Sequence, residues 1–214
     1  MGQVTLAAQG NQYQAKLQTC TEQSGLLSVN SFVKPSDKQV VYTIGHSDHL
    51  LDEFMAMLQS FSIKNLVDIR RLPGSRKFPQ FDQGNLERSL AESGIAYVHL
   101  SGLGGRRKAN KDTPNNRWRN DSFRGYADYM ETEAFEQAAA QLERLALQHP
   151  TAYMCAEAVW WRCHRAMVSD YLKARGWTVL HIMGPDKCQE HPYTSPARIE
   201  GDRVFYSDED LQRR

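Results

Sequence analysis

The segment CAEAVWWRCHR combines several reactive groups within eleven residues: two thiols, a carboxylate, an imidazole, two guanidinium groups and two indoles. The apolar run TAYMC before it predicts a strand, and the amphipathic pattern after it predicts a helix. A thiol where a strand ends faces the amides at the start of the next helix, and their partial positive charge favours the thiolate. We therefore interpret Cys155 as a candidate nucleophile. Glu157 and His164 are candidates for proton transfer, and Arg165 for binding an anion.

Two other interpretations of this segment stay open. Cys155 can be a small buried apolar residue at a strand end, as many cysteines are. Cys155, Cys163 and His164 also offer soft metal ligands, with His46 as a fourth. The Cys-x7-Cys-His spacing is not a standard zinc pattern, however, and adjacent ligands on a helix point about 100° apart. We therefore assign no metal-ligand set from the sequence and leave the cofactor open.

A second group of charged residues follows another predicted strand. In VDIRRLPGSRKFPQF, Asp68 and Arg70 flank Ile69, so alternation along the strand sends both side chains to the same side. Arg70 and Arg76 are candidates for binding phosphate or carboxylate, which arginine recognises with two parallel hydrogen bonds. Asp68 would then orient Arg70. The alternative is a purely structural ion pair between Asp68 and Arg70.

Two further segments at strand ends complete the candidate site. In GLGGRRK, Gly104 and Gly105 would let backbone amides approach an anion, and Arg106 adds positive charge. No serine or threonine follows in the manner of a nucleotide-binding P-loop. His46, in TIGHS, comes directly after the first predicted strand and is interpreted either as a catalytic group or as a capping residue.

A basic stretch with aromatic residues lies in the middle of the chain. Asp68 to Arg124 holds twelve Lys/Arg and six Asp/Glu, whereas the whole chain carries a net charge of +1. This asymmetry predicts one basic face. Trp118 and Phe123 stand among these cations, a pattern typical of single-stranded nucleic acid or nucleotide binding. The same pattern is equally typical of a loop that folds back on a core.

Short apolar runs alternate with amphipathic helical patterns along the chain. Strands are predicted over residues 39–44, 64–69, 95–100, 151–155 and 178–183, with helices between them. Ser47 or Asp48 is expected to cap the first helix. This alternation predicts an α/β domain with a mainly parallel five-stranded sheet, helices on both faces and a C-terminal hairpin around Gly201. Ligands of such sheets bind beyond the carboxyl ends of the strands, where the candidate segments lie.

Composition sets the broad class of the protein. Hydrophobic residues make up 41% and charged residues 24%, as in soluble globular proteins. Residues 1–37 are polar and weakly periodic, so we predict an N-terminal extension followed by one domain over residues 38–214. No stretch approaches the ~20 apolar residues of a membrane helix, and no apolar signal core follows the N-terminus. We therefore expect a cytoplasmic protein without a membrane partner, and we leave its oligomeric state open.

Five motifs in order, from about Gln39 to about Tyr206, resemble the bacterial and archaeal family called domain of unknown function 488. They are YTIGHS, LVDIRRLPGSRKFPQF, GIAYVHLSGLGGRR, FRGYADYM, and CAEAVWWRCHR with the later GWTVLHI. The matching family positions are Thr43 to Ser47, Asp68, Arg70, Pro73, Ser75, Arg76, Cys155, Glu157, Cys163, His164 and Arg165. The resemblance implies an α/β fold and adds Ser75 to the substrate-binding candidates. It implies no particular reaction.

Three hypotheses about function follow. The first is an enzyme, a transferase or a hydrolase, that binds an anionic phosphate-bearing substrate such as a nucleotide or nucleic acid in a cleft at the strand ends. The second is a non-catalytic module that binds nucleic acid through the basic face. The third is a metal- or redox-active thiol site built on Cys155, Cys163 and His164.

Overall fold

A computed structural model describes residues 39–208 of the chain, so the predicted extension over residues 1–37 lies outside the described part. The strands are β1 (Val40–Gly45), β2 (Asn65–Asp68), β3 (Ala96–His99), β4 (Thr151–Cys155), β5 (Thr178–Gly184), β6 (Lys187–Glu190), β7 (Arg198–Glu200) and β8 (Arg203–Phe205). The first six form one sheet in the order β3-β2-β4-β1-β5-β6, and β7 pairs with β8.

The predicted α/β architecture is confirmed, but the strand count of the sheet is six rather than five. Strands β1 to β5 coincide with the five predicted runs and pair in parallel. The additional strand β6 pairs antiparallel with β5 at the sheet edge. Only one of its four residues, Cys188, is buried. The sequence KCQE therefore contains no apolar run from which a strand could be predicted. The hairpin of β7 and β8 forms as predicted, with Gly201 at a φ of 61° in its turn.

Helices cover both faces of the sheet. They are α1 (Leu51–Ser60), α2 (Gln83–Glu92), α3 (Asp121–Met130), α4 (Glu133–Gln148) and α5 (Arg165–Ala174). Apolar residues of α1 and α2 pack on one face, against side chains such as Ile44 and Met154. Apolar residues of α3, α4 and α5 pack on the other face, against side chains such as Val41 and Tyr153. Of the helices in residues 39–208, none is long and apolar enough to cross a membrane.

The segment between β1 and α1 differs from the prediction. Leu50 precedes the helix and its side chain makes no capping hydrogen bond, so the expected cap by Ser47 or Asp48 is wrong. The Ser47 hydroxyl donates to the neighbouring Asp48 carboxylate, and the Ser47 amide donates to the carbonyl oxygen of Ala156. The turn is therefore tied to the loop after β4 rather than to the helix that it precedes.

The order of the strands opens a crevice above β1 and β4. These two strands are neighbours, with Gly45 level with Cys155, so their carboxyl ends lie side by side. The chain leaves β1 toward α1 on one face of the sheet and leaves β4 toward α5 on the other face. Such a point, where successive connections diverge, is where ligands bind in open α/β sheets.

A buried polar cluster, here called the core histidine cluster, consists of Asp170 on α5, His181 on β5 and His191 after β6. The His191 Nε2 atom lies 3.0 Å from Asp170 Oδ1, and His191 Nδ1 lies 2.9 Å from His181 Nε2. Asp170 also accepts hydrogen bonds from the Thr194 amide and hydroxyl and from the Tyr206 hydroxyl. All three members of the cluster are buried, so their contacts serve to join α5 to the sheet and to the C-terminal segment.

Candidate active site

A cleft of about 830 Å³ lies over the carboxyl ends of β1, β2 and β4. Eight of the twelve residues predicted for the site line it: His46, Arg70, Ser75, Gly105, Arg106, Cys155, Glu157 and His164. The other four, Asp68, Arg76, Gly104 and Arg165, are not among the lining residues. The strand-end rule therefore selected segments that come together in space, although not every residue in them faces the cleft.

The floor of the cleft holds Cys155, Cys163 and His164, here called the cleft cluster. The Nδ1 atom of His164 lies 3.8 Å from Cys155 Sγ and 3.5 Å from Cys163 Sγ. The other ring nitrogen, Nε2, lies 3.3 Å from the carbonyl oxygen of Ile69, which can only accept a hydrogen bond. Nε2 therefore donates a proton to this carbonyl, and Nδ1 faces the two thiols.

Local backbone geometry makes these side chains converge. Cys163 is extended, with φ −128° and ψ 147°, whereas His164 is helical and immediately precedes α5. The two residues therefore do not share the helical geometry that would point adjacent side chains apart, which removes the objection raised from the sequence. A Cβ atom on Gly105 would lie 2.7 Å from His164 Nδ1, so the absence of a side chain there lets the loop pack against the imidazole.

The two thiols differ in electrostatics. Cys155 is 7% exposed and Cys163 is 3% exposed. A hydrogen bond from the Cys163 thiol and the adjacent His164 ring lower the pKa of Cys155 well below its ordinary value, despite burial. Burial, followed by the nearby Cys155 sulfur, raises the pKa of Cys163. The backbone amide of Arg165 at the start of α5 donates to Cys163 Sγ, at 3.5 Å, and not to Cys155 as expected.

Arg165 supports the loop after β4 from inside the protein. It is 2% exposed, and its Nη2 atom donates to the carbonyl oxygens of Glu157 and Ala158, at 3.1 and 2.7 Å. Its Nε and Nη1 atoms have no hydrogen-bond partner among residues 39–208. The predicted contact of Arg165 with an anion is therefore not available from this position, because the guanidinium lies behind the loop. A Cβ atom on Gly45 would lie 1.9 Å from the Glu157 carbonyl oxygen, so β1 accommodates the loop only with glycine there.

The contacts of Arg165 also orient the amides of this loop. A planar trans peptide points its N–H opposite to its carbonyl oxygen. The Glu157 and Ala158 carbonyls face Arg165, so the amides of Ala158 and Val159 point away from it, and all three residues line the cleft. Within the described part of the chain, neither amide donates to a backbone acceptor. Successive free amides of this kind can bind an anion.

Arg70 forms the wall of the cleft next to β2, and Asp68 is buried beside it. Their side chains are paired, with Arg70 Nη2 2.6 Å from Asp68 Oδ2, and both are buried, so the structural ion pair that the sequence left open is present. Arg70 Nη1 donates to the Phe81 carbonyl oxygen and contacts His46 Nε2 at 3.3 Å. Burial, and then the charge of Arg70, lower the pKa of His46. The His46 ring therefore stays neutral, and its Nε2 lone pair is directed at Arg70.

Cationic side chains surround the opening of the cleft. Besides Arg70, the lining includes Arg71, Lys77, Arg106 and Arg162, against the acidic side chains of Asp48 and Glu157. No salt bridge links any of these four cations to an acidic residue within residues 39–208. Arg106 adopts a φ of 58°, which is costly for a residue with a side chain and often occurs at binding sites. The cleft therefore has a positively charged entrance.

The aromatic residues of the basic loop face the protein. Trp118 stacks on Phe123, with ring centroids 4.6 Å apart, and contacts Tyr206 at 5.8 Å. Both Trp118 and Phe123 are partly buried against the core, although Phe123 also lines the cleft. Arg107 lies over the Tyr129 ring, 3.5 Å from its centroid. These contacts are those of a loop folded onto the core, the second interpretation that the sequence left open.

Some lining residues carried no signal in the sequence. Arg71 is one of several cations in a basic run, and nothing in the sequence distinguishes it from the others. Asn120 and Ser122 lie at the start of α3, where polar residues are ordinary capping groups. The sequence offers Cys163 only as a possible member of a metal or thiol site, and its sulfur faces the cleft together with Cys155. Only the course of the loop between β4 and α5 brings Cys163 close to Cys155.

Comparisons with known proteins identify a family and no function. No curated protein and no solved structure matches the chain. A family model described as "Domain of unknown function DUF488" matches residues 50–172. The matched range contains the cleft cluster and the lining residues between Arg70 and Arg106, and it ends before His181. Because it covers more than half of the 214 residues, the chain belongs to the DUF488 family.

Proposed function

We propose that this protein is an enzyme that binds an anionic, phosphate-bearing substrate in the cleft and reacts with it through the Cys155 thiolate. The observation that carries the proposal is the convergence, in one cleft, of a thiol–imidazole pair and cations that have no salt-bridge partner among residues 39–208. A positively charged entrance favours anions, and a thiol beside a positioned base is the usual arrangement of a cysteine nucleophile.

The proposed reaction begins with proton transfer from Cys155 Sγ to His164 Nδ1. The thiolate attacks the electrophilic atom of the bound substrate, and a covalent enzyme intermediate forms as the bond to the leaving group breaks. His164 returns its proton to the leaving group. A second nucleophile, water for a hydrolase or an acceptor for a transferase, then releases Cys155. Glu157, exposed at the cleft, is the group available to take the proton of that nucleophile.

The remaining residues bind and position the substrate. The amides of Ala158 and Val159 and the side chains of Arg106 and Arg162 hold the anion. Arg165 is a positioning residue, because it fixes the carbonyls of the loop and so aims its amides outward. A nucleotide and the end of a single-stranded nucleic acid present the same phosphate chemistry, so both remain within the proposed substrate class.

Two alkylating reagents test this proposal. Iodoacetate is anionic and iodoacetamide is neutral, so the ratio of their rates with Cys155 reports the recruitment of anions. We expect a higher ratio for Cys155 than for glutathione, a fall toward the glutathione value in Arg106→Gln and in high salt, and protection of Cys155 by pyrophosphate. Arg144→Gln, at an exposed arginine on α4, is the matched control and should leave the ratio unchanged.

Two labelling results would contradict the proposal. If Cys155 shows the glutathione ratio at low salt, the cleft does not recruit anions. If Cys155 reacts more slowly with both reagents than an unfolded cysteine does, it is not an activated nucleophile. Either result would overturn the proposal.

A further inference from the structure

We propose that the cleft cluster is also a binding site for a thiophilic divalent metal ion of the zinc type, with Cys155 Sγ, Cys163 Sγ and His164 Nδ1 as its ligands. These three atoms lie within 4.8 Å of one another. Because the ligands are the reactive groups of the proposed function, the regulatory part of this inference rests on that function, whereas metal binding itself does not.

The two nitrogen–sulfur distances match a tetrahedral site. Zinc–sulfur bonds of about 2.3 Å and zinc–nitrogen bonds of about 2.0 Å place a sulfur about 3.5 Å from a nitrogen ligand at the tetrahedral angle. Here Nδ1 of His164 lies 3.8 Å from one sulfur and 3.5 Å from the other. The distance from His164 Nδ1 to each sulfur is therefore that of two ligands on one tetrahedral ion.

The surroundings of the cluster are those of a metal-binding histidine. His164 Nε2–H donates to the Ile69 carbonyl oxygen, which fixes the tautomer that presents Nδ1 as a lone pair. Gly105 packs against the ring and restricts its rotation. The Arg165 amide donates to Cys163 Sγ, which supports a coordinated thiolate. The ligands are therefore oriented before an ion arrives.

The fourth coordination position would face the cleft, because all three ligand residues line it. Any thiol that is still protonated releases its proton to solvent when it binds the ion. A bound ion occupies the sulfur lone pair that Cys155 needs as a nucleophile. Metal binding and the thiolate reaction therefore exclude each other, and a zinc-type ion acts as a reversible inhibitor of the proposed activity.

Cobalt substitution in the full-length protein provides the test. After chelator treatment, one Co²⁺ per chain should give the intense visible bands of a tetrahedral site together with thiolate-to-cobalt charge transfer, and Zn²⁺ should displace it. Cys163→Ser and His164→Gln should each weaken binding by at least about tenfold. His149→Gln, at an exposed histidine outside the cleft, is the matched control and should bind as the wild type does.

A second measurement protects the test against variants that fold poorly. X-ray absorption of the zinc-loaded wild-type protein should give two sulfur ligands and one histidine nitrogen. Zn²⁺ should also block iodoacetamide labelling of Cys155, and a chelator should restore it. A cobalt spectrum without thiolate charge transfer, or equal binding by His164→Gln, would overturn the inference.

The inference and the proposed function can fail separately. Rapid, anion-selective labelling of Cys155 without metal binding would refute the metal site and leave the function. Tight binding through two sulfurs and one nitrogen, with labelling no faster than that of glutathione, would support the metal site and refute the function.

Discussion

The cleft cluster and the core histidine cluster use similar groups in opposite ways. Both contain histidine, and both adjoin α5. In the core histidine cluster, Asp170 accepts four hydrogen bonds from His191, Thr194 and Tyr206, and no member of the cluster lines the cleft. In the cleft cluster, His164 is anchored at one nitrogen only, and its other nitrogen faces two thiols in an open cleft. In the core histidine cluster only His181 Nδ1 has no hydrogen-bond partner among residues 39–208, so its polar groups mainly hold the fold together, whereas those facing the cleft remain available for chemistry.

The largest expected effect on stability distinguishes the two clusters directly. Asp170→Ala should lower the free energy of unfolding by about 3–5 kcal/mol, because several buried donors lose their acceptor. Cys155→Ala, in the cleft cluster, should cost about 1 kcal/mol. Urea unfolding followed by circular dichroism measures both changes. Equal losses in the two variants would mean that the cleft cluster is as structural as the core histidine cluster.

A smaller effect is expected where the loop packs against His164. Gly105→Ala would place a Cβ atom against the imidazole, so we expect a loss of about 1–3 kcal/mol in stability and labelling of Cys155 slowed by about tenfold or more. Gly84→Ala, on α2 with no atom within 4 Å of the added Cβ, is the control and should be neutral or stabilising. Unchanged labelling in Gly105→Ala would show that the orientation of His164 does not matter to the thiol.

Lowering the pH should reduce the free energy of unfolding through the core histidine cluster, by less than Asp170→Ala does. Burial, and then the neighbouring His191, lower the pKa of His181 well below its ordinary value. Below about pH 6.5 the unfolded chain binds a proton at this residue and the folded chain does not, so stability falls as the pH falls, by at most about 1.4 kcal/mol per pH unit. His181→Asn should make the dependence shallower in urea titrations between pH 7.5 and 5.5. An unchanged slope would contradict the assignment of His181 as neutral.

The smallest effect on stability is expected at the cleft entrance. Arg106→Gly relieves a residue held at positive φ, so the free energy of unfolding should rise by about 0–1 kcal/mol. The preference of Cys155 for iodoacetate should nevertheless fall, because an entrance cation is lost. A gain in stability together with a loss of anion recruitment is expected when a residue serves binding rather than folding. A clear loss of stability would assign Arg106 a structural role instead.

Much of the fold followed from patterns that depend on local sequence. Strands β1 to β5 and all five described helices coincide with apolar runs and amphipathic repeats, because buried parallel strands and half-buried helices have distinct periodicities. Strand β6 was not predicted, because an edge strand with one buried residue has no such pattern. The core histidine cluster was not predicted for a different reason. Asp170, His181 and His191 are brought together only by the packing of α5 on the sheet.

The candidate site was predictable in outline but not in detail. Strand ends placed His46, Arg70 and Cys155 near one another because parallel strands share a carboxyl edge. The sequence could not tell that Arg165 lies behind the loop, since a cation beside a candidate nucleophile has the same pattern whether it faces substrate or backbone carbonyls. Nor could it tell that Cys163 faces His164, because that depends on an extended residue just before α5.

The most direct test of the central claim, that Cys155 is a nucleophile activated by His164, is the rate of iodoacetamide labelling of Cys155 at neutral pH, resolved by mass spectrometry. We expect Cys155 in the folded protein to react at least about tenfold faster than in the urea-unfolded chain, despite its burial, and His164→Gln to reduce this advantage. Labelling slower than in the unfolded chain, or the same rate in His164→Gln, would show that His164 does not activate Cys155 as a nucleophile.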